Sequence, residues 1–202
     1  EELAEHEKQS RELTIQLGVA VAMSDGELHD TEEQKIKEWM TRTLSTYLDK
    51  PREEARTAYK KALRHALIEG QKGNLSYQSI ARGLNKVTEK PQRYTAVELC
   101  YDVLAADGTA TPEELDTVRL IANSLELDYA EIEKIRDRSI VSLDTGTSGQ
   151  TDVAAILGID PEWEPSKAKA HIRQEWQKWN NRVNTLRDGE ERENAKNMID
   201  II

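Results

Sequence analysis

An all-α fold is what this sequence predicts: a bundle of about seven helices carrying two related Asp-Gly units, then a smaller three-helix unit. Three observations lead there. Apolar residues recur at helical spacing along almost the whole chain, and no segment sustains the period-2 alternation of a strand. Gly, Pro and capping residues punctuate those stripes at regular intervals. One stretch occurs twice, as VAMSDGELHDTEEQKIKEW from Val21 and as VLAADGTATPEELDTVRLI from Val103. Aligning Asp25 on Asp107 also brings Leu17 onto Leu99, Val21 onto Val103, Gly26 onto Gly108, Glu32 onto Glu114 and Ile36 onto Val118.

In order, the first helix spans residues 3–23, with Leu13, Leu17, Ala20 and Val21 on one face. Asp25-Gly26 ends it, because Gly accepts the left-handed conformation that other residues resist. The next helix runs from about Thr31 to Leu48 with Ile36, Trp39, Met40 and Leu44 inward. His29, Asp30 and Thr31 each suit its cap, Asp30 with Glu33 making the better box. Lys50-Pro51 is read as a break, and a third helix follows to about Glu69. Ser76 to Thr88 gives a short helix, and Pro91 separates it from a longer one that reaches Ala106. Thr111-Pro112-Glu113-Glu114 starts the helix of the second unit, with Thr as N-cap and Pro at the first position. It ends near Leu125, and Asp128 caps the last helix of this part.

A small polar run, 144–150, reads as a linker between residues 1–143 and 151–202. Beyond it, Asp152–Leu157, Pro165–Trp179 and Glu190–Ile202 read as helices. Trp176 and Trp179 stand three apart on one helix face and are read as core, with a docking surface as the alternative. The chain opens on Glu and stops inside an apolar stripe, so the expectation is a piece of a longer protein.

Composition excludes several classes. With 202 residues the chain has length for one large or two modest domains. No apolar run approaches the roughly 20 residues of a membrane span, so any membrane attachment is expected through segments outside this chain. The lone Cys100 sits on an apolar stripe as a small core residue and fits a reducing, cytoplasmic compartment. A net charge of −10, concentrated before residue 150, repels phosphate backbones and argues against nucleic acid. It suits cations or a basic protein partner. Four scattered His residues, no nucleophile elbow and no glycine-rich phosphate loop leave no basis for an enzyme.

The two Asp-Gly units, their offset of 82 and the all-helical reading over 10–142 resemble the TerB family, the helical domain associated with tellurite resistance and found also in DjlA-type co-chaperones. That resemblance implies a metal site at the matching positions Asp25, Glu32, Asp107 and Glu114. Hard oxygen donors there suit calcium or magnesium. The unit is not an EF-hand, since Gly stands second and Ile36 occupies the place of the bidentate Glu. Two readings remain open: capping alone, or capping together with a cation site.

Residues 151–202 resemble a J domain in TDVAAILGIDPEW, in HIRQEWQKWNNRVN as its second helix and following loop, and in GEERENAKNMIDII. Where a working J domain has His-Pro-Asp, this chain has Asn180-Asn181-Arg182. The resemblance implies a degenerate J-like unit whose partner surface comprises these three residues with Arg173 and Lys178. A bacterial-type interaction module of a stress or defence system is the resulting expectation. A co-chaperone meeting a DnaK-type chaperone is the alternative.

Overall fold

The computed structural model describes residues 2–46, 49–106, 112–141 and 153–202. Among these residues every regular element is a helix, and no helix is long and apolar enough to cross a membrane. The helices are α1 (Glu2–Ala22), α2 (Asp30–Leu44), α3 (Asp49–Gln71), α4 (Tyr77–Val87), α5 (Lys90–Leu104), α6 (Pro112–Ser124), α7 (Tyr129–Val141), α8 (Val153–Leu157), α9 (Pro165–Thr185) and α10 (Glu190–Ile201).

The bundle is built around α1. Its first half is polar, whereas Thr14, Ile15, Leu17, Val19, Val21 and Ala22 are all buried. A helix segment apolar on every side needs neighbours on every side. Accordingly α1 packs against α2, α3, α4, α5 and α6. Gly18 admits the close crossing: a Cβ there would lie 3.3 Å from both Ile36 and Leu99.

The repeated units cross-pack as their matched stripes require. α1 and α5 lie side by side, α2 packs on α5 and α6 on α1. Each aligned apolar pair is fully buried on both sides: Leu17 and Leu99, Val21 and Val103, Ile36 and Val118. Arg93 fastens neighbouring helix ends by donating to the carbonyls of Thr88 (3.0 Å), Asn85 and Leu125 (both 3.3 Å). Those carbonyls belong to the unsatisfied set that every helix C-terminus presents.

Several boundaries differ from expectation. Lys50-Pro51 does not break the chain; Pro51 lies in the first turn of α3, where no intrahelical N–H is lost. α2 stops at Leu44, with Ser45 as its C-cap. Residues 180–184 continue α9 to Thr185 instead of forming a loop. Asp128 does cap α7, accepting from Ala130 N at 3.0 Å. The expected linker 144–150 lies outside the described residues.

α8 packs on α6, and α10 on α9 and α7. Trp179, Leu157, Ala195 and Met198 supply the core of this part. Trp176 does not; it is 45% exposed. The buried ridge of α9 follows the i, i+4 row His171, Glu175, Trp179, and Trp176 falls just beside it.

Candidate functional site

The first Asp-Gly turn begins where α1 runs out. Gly26 has φ +91°, the left-handed backbone that favours glycine. Asp25 is exposed, and its Oδ1 accepts from Glu27 N at 2.9 Å, so this carboxylate holds the turn. α2 then starts with His29 as cap residue, not Asp30. The box is closed by Glu32, whose Oε2 accepts from His29 N at 2.8 Å. Glu33 instead pairs with Lys37 on the helix surface.

Closing that box turns Glu32 inward. It is only 3% exposed, and its equivalent in the second unit, Glu114 on α6, is 6% exposed. The two side chains are hydrogen-bonded to one another across the repeat. Burial pushes the Glu32 carboxyl up from its ordinary 4.5 to about 7, and Glu114 adds to this against the opposing His29 amide. Beside a second buried carboxyl, Glu32 therefore keeps its proton well above the ordinary carboxylate range. Asp107 lies outside the described residues. Of the four predicted ligands, the structure thus brings Glu32 and Glu114 together and leaves Asp25 at the surface.

The folded state holds the Glu32 proton more tightly than the unfolded chain, so stability is fully present below pH 4.5 and falls as pH rises towards about 7. Glu32→Gln keeps an acceptor for His29 N and removes the ionisation. It should therefore stabilise the protein at pH 8 by on the order of 2 kcal/mol and change little at pH 4.5. Chemical denaturation at the two pH values in metal-free buffer measures this. An equal effect at both would show that Glu32 titrates normally.

The second group of predicted residues lies on α9. Arg173, Asn180 and Asn181 are exposed, but Lys178 and Arg182 turn inward. Lys178 Nζ lies 2.6 Å from Glu175 Oε1 and 3.0 Å from Asp137 Oδ2, and Arg182 Nη1 is 3.9 Å from the same Asp137 oxygen. These contacts belong to a buried ionic cluster that sequence reasoning missed. Its centre is Arg136 of α7. Nη1 donates to the Leu157 carbonyl at 2.9 Å, while Nη2 donates to Asp137 Oδ1 at 3.0 Å and Glu175 Oε2 at 3.2 Å.

Burial opposes both charges, yet the partners prevail: Asp137 and Glu175 hold the Arg136 guanidinium above its usual pKa, and Arg136 with Lys178 holds Glu175 below the usual carboxylate range. His171 Nε2 donates to the same Leu157 carbonyl at 2.8 Å, and Trp163 meets its ring edge-on at 5.2 Å. Gly158 lets the guanidinium reach that carbonyl, since its φ is +66° and a Cβ would sit 3.0 Å from Arg136 Nη1.

Glu133, His171 and Glu175 place ligand-type atoms within 4.8 Å of one another. This is a structural cluster, because its donors and acceptors are already engaged. Glu175 Oε1 takes Lys178, Oε2 takes Arg136 and Trp179, and the His171 Nε2 faces a carbonyl. Cys100 is equally unreactive: it is fully buried, and burial pushes its thiol up to about 12.

Residues 42–137 match TerB, described as tellurite resistance protein TerB. The TerB match begins at the end of α2 and closes on Asp137, so it contains Glu114 and the second unit. Asp25 and Glu32 precede it and are joined to it by the internal repeat. The match does not extend into α8–α10. No curated protein and no solved structure matches the chain.

Proposed function

We propose that the chain is a non-enzymatic, tellurite-resistance-like interaction module whose paired acidic motifs hold a divalent cation. The observation that carries this reading is the buried Glu32–Glu114 pair. Glu32, desolvated against a second buried carboxyl, needs a positive partner, and a proton supplies it below about pH 7. A calcium or magnesium ion answers the same need, and the donors are hard oxygens of the kind these ions take. Glu32 and Glu114 would hold it, and the family resemblance adds Asp25 and Asp107. The bound ion supplies charge neutralisation between the two repeats. The chain's own residues fix the α2 and α6 starts around it.

Cation and proton then compete for one place. Titration calorimetry of the full chain with calcium, magnesium and manganese should show binding that weakens as pH falls below about 7 and that releases protons. Glu32→Gln combined with Glu114→Gln should abolish it. Saturation at a hundredfold excess over Kd should stabilise the fold by about 2.7 kcal/mol. An unchanged melting curve in millimolar cation would leave capping as the whole role of these acids.

The alternative is a DjlA-like co-chaperone of a DnaK-type partner, acting in a reducing cytoplasm. Against it, Asn180-Asn181-Arg182 lie inside α9, and Lys178 and Arg182 are committed to Asp137. The expected result is no stimulation of a DnaK-type ATPase. Several-fold acceleration at micromolar protein would establish the co-chaperone instead.

A further inference from the structure

A groove of about 800 Å³ lies between α2 and α3, which among the described residues supply its whole lining. Its floor is apolar, built from Met40, Leu44, Leu63 and Leu67. At one edge Ile68 is 44% exposed. Its rim is basic: among the described residues Lys37, Arg56, Lys60 and Arg64 line it, against the carboxylate of Glu33. Glu33 is already paired with Lys37 at 2.6 Å. Arg56 meets Glu53 at the surface, while Lys60 and Arg64 form no ion pair among the described residues. On a protein of net charge −10, a concave apolar surface edged by cations is a local reversal of sign.

The spacing explains the shape. Arg56, Lys60 and Arg64 follow one i, i+4 row of α3, and Leu63 and Leu67 follow the next. An apolar row flanked by a charged row on a helix pair is the complement of an amphipathic helix, whose ridge enters the groove between two others.

We infer that this groove docks an amphipathic helix of another protein, one carrying acidic residues beside its apolar stripe. Charge complementarity selects the acid, since Lys60 and Arg64 flank the floor without carboxylates of their own. The concave shape selects a helix over a bilayer: a groove between two helices takes a ridge of side chains, which a flat lipid surface does not offer. A second copy of this chain has little to offer. Among the described residues its exposed large apolar side chains are Ile68, Tyr129 and Trp176, on three different helices. The inference rests on the reading of the chain as an interaction module, and supplies the class of partner.

The test uses the full chain and a displayed library of amphipathic helices of about 16 residues, roughly 24 Å long, with the polar positions randomised. Helices enriched on the protein should carry a clear excess of Asp and Glu beside the apolar stripe. Their affinity should fall at least about tenfold in Lys60→Glu with Arg64→Glu, and should weaken with added salt. Both positions are exposed, and a thermal melt checks that the variant folds. No enrichment, or winners without acidic excess, overturns the inference. So does equal binding to the reversed variant, a dimer dispersed by these two substitutions, or binding to anionic vesicles in place of helices. Cation titration of the same variant keeps the two readings apart, because Glu32 and Glu114 are no part of the groove. Lost helix binding with intact cation binding removes the groove alone.

Discussion

Arg136→Met should cost about 3–5 kcal/mol of stability, because it strands two buried carboxylates. The guanidinium is nearly inaccessible, as are the carboxylates of Asp137 and Glu175 that it meets at 3.0 and 3.2 Å. In bulk water such pairs contribute little, but here each ion has left its hydration shell and depends on its partner. Lys178 still reaches both acids after the substitution, so the loss should be large without being total. The Leu157 carbonyl also loses one of its two donors. Urea denaturation of the full chain measures the total. Hydrogen exchange locates it: amides of α9 should lose more protection than those of α1, since Arg136 ties α7 to both α8 and α9. A loss below about 1 kcal/mol would mean that the cluster is effectively hydrated. Acid should mimic the substitution. The Glu175 pKa is depressed, so its contribution is present above the ordinary carboxylate value of 4.5 and is lost as pH falls below it.

Trp179→Ala should be comparably severe, at about 3–5 kcal/mol, while Trp176→Ala should stay within about 0.5 kcal/mol. Both rings lie on α9 three residues apart, but Trp179 is 0% exposed and Trp176 is 45% exposed. The buried ring also donates Nε1–H to Glu175 Oε2 at 3.2 Å, and the cations of Arg182 and Lys178 stand 5.3 and 5.6 Å from its centroid. Truncating it opens a cavity and removes a donor from the ionic cluster at once. Equilibrium unfolding of the two variants gives the comparison. Equal losses would mean that the i, i+4 row through His171, Glu175 and Trp179 is not the buried one.

Much of the first part was legible because its signals are local. Helical periodicity, the Asp25-Gly26 stop and the Asp128 cap depend on residues within one or two turns, where backbone sterics and capping bonds decide the outcome. The repeat carried the reading further. Since Leu17, Ile36 and Glu32 recur as Leu99, Val118 and Glu114, the two units had to bury the same faces, and they do. The α2 cap falls at His29, one residue before the Asp30 that the sequence favours. A box closed by Glu32 or by Glu33 looks similar in sequence, and only packing decides which acid is covered.

The ionic cluster leaves a faint trace in the sequence. Arg136 lies in phase with Ile132 and Ile135, and Glu175 with His171 and Trp179, so each stripe carries one charge, and the two are opposite. A charge in phase with a buried stripe needs counter-charges, and part of the answer is local: Asp137 follows Arg136, and Lys178 stands three residues beyond Glu175. The pairing of Arg136 with Glu175, however, spans 39 residues of chain that no local signal bridges.

By itself, then, the sequence determined that the chain is helical, where the Asp25-Gly26 stop and the Asp128 cap fall, and which acids the repeat makes equivalent. Only the tertiary structure decided that Glu32 meets Glu114 while Asp25 stays at the surface. It also decided that Lys178 and Arg182 serve Asp137, and that Trp179 is buried while Trp176 is not. The reason is the range of the forces involved. Capping and periodicity act over a few residues of chain, whereas desolvation and ion pairing act through space between helices far apart in sequence.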